Sequence, residues 1–176
     1  MKKILVGVVA VVMIGGALVG SGYAATTSGT QNLDATLASS ITLSLSDPNV
    51  AFALPTSGVG TTSGGTATVT SNSPYTVTVQ SDVPTMSEWD GAAYVAAGAA
   101  LASPPSLAIA LNSGTGVPGA GGPVIDTLPT AVAAGAGLGT DVFDLTVNQT
   151  TTVADTALPV GNTYHAQFTY TAANTI

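Results

Sequence analysis

His165 is the only histidine of the chain and cysteine is absent, so the residues able to do chemistry are few and far apart. His165 falls on a polar position of the last alternating run, which makes it a surface residue of a strand rather than a catalytic base. A Ser-His-Asp relay is formally available among so many serines, yet no Gly-x-Ser-x-Gly elbow occurs after residue 24. Zinc draws three or four ligands from Cys, His and carboxylates, a set that one histidine does not easily supply. Asp82, Glu88 and Asp90, or Asp141 and Asp144, could lend oxygens to a calcium ion, but their spacing is no EF-hand loop and solvated loop carboxylates are the expected reading. Gly114-Thr115-Gly116-Val117-Pro118-Gly119 has the letters of a dinucleotide fingerprint, and Pro118 with the glycines after it denies the helix that would receive a pyrophosphate. Asn148-Gln149-Thr150 is the one N-glycosylation sequon, which makes a glycan on Asn148 possible chemistry for an exported chain. No catalytic, cofactor-binding or metal-binding residue emerges, and the chain does not read as an enzyme.

Both basic residues, Lys2 and Lys3, precede an apolar and glycine stretch from Ile4 to Gly20, and Gly22 and Ala24 are the small residues a signal peptidase reads. Residues 1–24 are therefore expected to be a signal peptide cut before Ala25. The rival is a retained anchor, since a membrane span needs about 20 apolar residues and this stretch is near the lower limit. After the cut, nine carboxylates remain with no Lys or Arg. A chain that cannot neutralise phosphates has no nucleic-acid partner and no anionic-lipid partner. A P-loop and a lysine–asparagine crosslink are excluded for the same reason. The lightly charged, Thr-rich and Ala-rich surface suits packing against neighbours as well as water. Without disulfides, the core of an exported domain has to hold alone.

Period-2 alternation dominates residues 25–176. Val50, Phe52 and Leu54 alternate, and a Gly/Thr/Ser turn region follows. Ala67 and Val69 alternate with threonines, and Tyr75, Val77 and Val79 do so beyond Asn72-Ser73-Pro74. These last two runs are expected to pair as a hairpin. Leu107/Ile109/Leu111, Phe143/Leu145/Val147 and Tyr164/Ala166/Phe168/Tyr170 add further strands. Ser87 could cap a short helix over 88–97, and residues 113–140, rich in Gly, Ala and Pro, read as a long surface excursion. The sum predicts an all-β, two-sheet β-sandwich of jelly-roll or Ig-like topology over residues 39–176.

Leu33, Ala35, Leu37, Ile41, Leu43 and Leu45 occupy odd positions and polar residues most of the even ones. At about 3.3 Å per residue, positions 33–45 would extend roughly 40 Å, against about 17–20 Å for an average strand. Two readings remain. Either the strand bends at Ala38-Ser39-Ser40 and crosses between sheets of its own domain, or residues 25–38 are an N-terminal extension whose Leu33, Ala35 and Leu37 enter the next copy as a donor strand. An open sheet edge would accept such a strand, and a contact of that kind does not close on itself.

The leader, the long alternating segment, the run from Thr66 through Ser71-Asn72-Ser73-Pro74-Tyr75 to Val79, and the closing Tyr164-to-Ala172 segment together resemble the exported β-sandwich proteins of prokaryotic surfaces. Those include the archaeal bundling pilins and the TasA-like biofilm matrix fibres. The resemblance implies a jelly-roll-like subunit polymerised by its N-terminal strand. The expected function is thus a secreted, extracellular structural subunit of a pilus-like filament or matrix fibre, whose partner is a copy of itself and which has no membrane partner once the leader is removed. The alternative is a monomeric carbohydrate-binding or adhesive module of the cell surface, using Trp89 and Tyr94 as a stacking platform.

Overall fold

The computed structural model describes Ala35 and residues 37–175. The leader, its cut before Ala25, and Leu33 of the extension lie outside the described residues. From Leu37 onward the chain forms one compact unit. Its strands are β1 (Ile41–Leu45), β2 (Gly58–Ser71), β3 (Tyr75–Ser81), β4 (Ser87–Trp89), β5 (Ser106–Ser113), β6 (Val117–Pro118), β7 (Thr130–Gly135), β8 (Gly139–Thr151), β9 (Thr163–His165) and β10 (Phe168–Asn174), with no helix among the described residues. One sheet has the order β1-β2-β8-β5, a second β10-β3-β7-β6, and β4 and β9 form a small third one. Every pairing is antiparallel.

The two larger sheets face each other across one core, to which Val69, Leu107, Phe143 and Leu145 come from the first and Tyr75, Val77, Val79 and Val132 from the second. Each such side chain, once fully buried, contributes about 1.5–3 kcal/mol. The expected inward positions Ala67, Val69, Tyr75, Val77, Val79, Leu107, Phe143, Leu145 and Val147 are buried, whereas Val50 and Leu111 are exposed and Ile109, Phe168 and Tyr170 only half-buried. The strand partners differ from those expected. Ala67/Val69 and Tyr75/Val77/Val79 do not form a hairpin, because β2 and β3 belong to opposite sheets and Asn72-Ser73-Pro74 is the corner between them. A three-residue hairpin loop such as 72–74 would need a residue at positive φ, and among the described non-glycine residues only Ala97 adopts it. Pro74, locked at negative φ, cannot supply it either.

Four other expectations are corrected. Residues 50–54 form no strand. The expected Gly/Thr/Ser turn lies largely within β2, where Gly64-Gly65 marks a bulge between Ser63 and Thr66 with Gly65 at φ 73°. The helix over 88–97 is absent: Glu88 and Trp89 pair with Tyr164 and Thr163 in a strand. Asp90 instead makes a local turn, its Oδ1 accepting the N–H groups of Ala92 and Ala93, both at 2.8 Å, while the expected cap Ser87 donates its hydroxyl to the Thr85 carbonyl at 3.1 Å. The Gly/Ala/Pro-rich 113–140 region is no mere excursion, since it holds β6, β7 and the buried Ile125 and Val132.

That composition has a packing cause. Tyr75, fully buried, donates its hydroxyl to Asp141 Oδ2 at 2.5 Å, while Asp141 Oδ1 accepts the N–H groups of Thr115 (2.6 Å) and Gly116 (2.9 Å). A Cβ on Gly135 would stand 2.4 Å from the Tyr75 ring, and one on Gly116 2.5 Å from the Phe143 ring. Glycine is what lets two backbones close over the pair.

Candidate functional site

The two sheets are unequal in length. β2 has 14 residues and β8 13, whereas β3 and β10, in the facing sheet, have 7 each. β1 covers β2 only from Ala67 to Ser71. Beyond Leu45 the first sheet overhangs, carrying Gly58–Ser63 of β2 paired with Thr146–Thr151 of β8. The 46–57 segment crosses the overhang without becoming a strand, held by Ser46 N–H on the Thr66 carbonyl (2.9 Å) and by the Thr151 hydroxyl on the Pro55 carbonyl (2.7 Å).

Between the overhang, that segment and the β9–β10 region lies a groove of about 490 Å³ whose apolar walls include Leu45, Phe52, Leu145, Val147, Phe168 and Tyr170. Burial alone pushes the Tyr170 hydroxyl up to about 12. The closing run is not one strand: it breaks between β9 and β10 at Ala166-Gln167, two residues that also line the groove. Period-2 alternation continues through the break, so nothing in the pattern announces it. Among the described residues β10 pairs with β3 on one side only, and β1 with β2 on one side only. Neither carries proline or charge, the devices that usually blunt an edge.

Carboxylates pin the loops around this end. Glu88, buried, accepts the Ala99 N–H (2.9 Å) and the Asn162 side-chain amide (2.6 Å), and these two bonds, in that order, hold its carboxyl below the usual range against the opposing effect of burial. Asp155 is lowered likewise, first by the Thr152 N–H and then by that of Ala102. Asp82 accepts the Tyr94 hydroxyl (2.6 Å) and the Gln167 N–H (2.8 Å), and burial first and that Tyr94 bond second raise the tyrosine's pKa. His165 stacks on Trp89 with ring centroids 4.7 Å apart, and Tyr94 meets Trp89 edge-on at 5.1 Å. In a sequence without Lys or Arg beyond position 3, amides and hydroxyls do the work that cations do elsewhere. Asp144 follows the pattern, accepting the Asn112 side-chain amide at 2.8 Å. Among the described residues no three metal-ligating side chains converge.

The point where the chain enters the sandwich, at Leu37, is at the opposite end. The chain joins the fold through Asn72, the corner residue, which accepts the Ser40 N–H on Oδ1 (2.7 Å), donates from Nδ2 to the Ala38 carbonyl (2.9 Å) and donates its own N–H to the Ser40 carbonyl (3.2 Å). Immediately before this clamp Leu37 is 87% exposed, and Ala35 is exposed too. From the clamp, β1 runs Ile41 to Leu45 toward the groove. Sequence reading missed Asn72 as an anchor; the visible signal was an Asn directly before Ser-Pro, a turn-forming context. Asn148 lies within β8, between Thr61 of β2 and Ser106 of β5, and accepts the Thr61 hydroxyl at 2.9 Å.

In comparisons with known proteins, no family model, no curated protein and no solved structure matches this chain.

Proposed function

We propose that the chain is an exported structural subunit of an extracellular pilus-like filament or matrix fibre, built head to tail by donor-strand complementation. The single observation carrying this reading is an open apolar groove at one end of the sandwich and, at the other, the exposed Leu37 beside the Ala38–Asn72 clamp where the chain enters the fold. Leu33, Ala35 and Leu37 of one copy enter the groove of the next, and their backbone pairs with the free edge of β10, completing a jelly-roll-like sheet. Burying two leucines contributes about 1.5–3 kcal/mol each, and each new backbone hydrogen bond adds about 0.5–1.5 kcal/mol. Because the donor is attached at the end away from the groove, the contact leaves a fresh donor and a fresh groove after every addition and does not close.

Electron microscopy of the mature protein, together with removal of residues 25–38, tests this. Filaments are expected from the full mature chain and none from the shortened one, which a synthetic 25–38 peptide should bind. Dispersed monomers at every concentration and temperature would end the filament reading. One observation favours a second reading, a monomeric glycan-binding or adhesive module: Trp89, Tyr94 and His165 gather beside the groove. Loss of glycan binding on Trp89→Ala, with no assembly of the unmodified chain, would support it instead.

A further inference from the structure

Exposed large apolar side chains occur toward both ends of the unit. Leu37 and Leu138 lie at the end that carries the Ser71–Pro74 corner, whereas Val59, Leu128, Val153 and Val160 lie at the groove end. Leu138, 89% exposed, sits beside the Asn72 clamp and lines one hollow with Ser40 and Asn72. Its turn, 136–138 between β7 and β8, is held firmly. Gly137 has φ 73°, and a Cβ there would fall 1.5 Å from the Ser73 carbonyl oxygen, so the turn is seated directly on the corner. A single exposed leucine needs no explanation. A rigidly presented one next to the departure point of the donor segment has a specific consequence.

No spacer separates donor from anchor. Leu37 is the last donor residue, and Ala38 is already tied to Asn72. A residue spans at most about 3.6 Å, so a donor seated in a groove draws its own sandwich against the end of the next one. We propose that the filament has a second interface, between the Leu138 turn of one copy and the groove-end loops carrying Val153 and Val160 of the following copy. This rests on the donor-strand reading and adds to it: the subunits abut end to end instead of hanging on flexible strands. Since β2 runs the length of the sandwich with 14 residues, each copy advances the filament by roughly 45 Å at about 3.3 Å per residue.

Two variants of the full mature chain separate the interface from the reading beneath it. Leu37→Asp disables the donor and leaves the groove open. Leu138→Asp leaves donor and groove intact and places a carboxylate in the end contact, where desolvation penalises it. Both should fold, as matching far-UV circular dichroism would show, because both leucines are exposed. The Leu138→Asp chain is expected to bind a fluorescent 25–38 peptide within twofold of the Leu37→Asp chain. It should also need at least about tenfold more protein than the unmodified chain to form filaments. Polymerisation of Leu138→Asp at the unmodified concentration would overturn the end interface alone. Failure of the peptide to bind either variant would overturn the donor reading, and the end interface with it.

Discussion

The corner end and the groove end of this sandwich are built from the same alternating residues and reach opposite outcomes. At the corner end the strands of both sheets are matched, glycines bring backbones within contact of aromatic rings, and the Tyr75–Asp141 pair is sealed beneath them. At the groove end one sheet outruns the other, and Phe52, Phe168 and Tyr170 are left half-buried against the core. Closure thus follows from matched strand lengths and small residues, not from the amount of apolar residue. An end with more aromatic surface stays open because nothing in this described chain pairs with its edges.

Core truncation should break the comparison most severely. Phe143→Ala is expected to cost about 3–5 kcal/mol, read as a lower denaturant midpoint, because Phe143 is buried and closely enclosed at Gly116. Tyr75→Phe should cost less, about 1–3 kcal/mol, the penalty for leaving a buried acceptor of Asp141 short of a donor. At the groove end Phe168→Ala should cost only about 1–2 kcal/mol, being half-buried, yet weaken capture of the 25–38 peptide at least about tenfold in a fluorescence titration. A stability loss at Phe168 as large as that at Phe143 would mean that the groove is part of the closed core.

Acidification should produce the gentlest and most graded effect. Glu88, Asp90 and Asp155 are held below their ordinary values of 4.5, 3.8 and 3.8, chiefly by backbone N–H groups. Depressed carboxyls stabilise the fold fully above those ordinary values, and the contribution is lost as pH falls through the lower folded values. Hydrogen exchange followed across this range, after correction for the intrinsic acid dependence, should show Ala92, Ala93, Ala99 and Ala102 losing protection below about pH 4. Asp141 is also lowered: burial acts to raise it, but the Tyr75 hydroxyl and the Thr115 and Gly116 N–H groups together outweigh that effect. The amides of Thr115 and Gly116 should therefore follow the same sense. Unchanged protection down to pH 2 would remove the carboxylates from any role in fixing the loops.

Alternation made the inward residues legible: Ala67, Val69, Tyr75, Val77, Val79, Leu107, Phe143, Leu145 and Val147 are all buried. It reports which face a side chain takes and is silent on which strand lies alongside, so the β2–β3 hairpin was expected where a corner stands. β7, Thr130–Gly135, contains one β-branched apolar residue among alanines, too little to register as a strand although Val132 is fully buried. The same limit hid the groove, since strand length is fixed by where partners end, and Leu45 ends β1 without any change in the pattern beforehand. The helix over 88–97 failed for a related reason. Its expected cap, Ser87, lies in β4 and donates its hydroxyl to the Thr85 carbonyl instead of accepting an amide, and Glu88 and Trp89 found partners in Tyr164 and Thr163.

The registration of β1 bears on how such a subunit would carry tension. A pull on the segment ahead of Leu37 meets the Asn72 clamp and then runs along the axis of β1, whose pairing with β2 extends from Ile41–Ser71 to Leu45–Ala67. Those bonds lie across the line of force, so they are loaded together in shear and must yield nearly at once. A strand pulled from its side would instead unzip bond by bond. In the proposed filament the short first strand would thereby act as a mechanical coupling, with its resistance set by the number of bonds sharing the load.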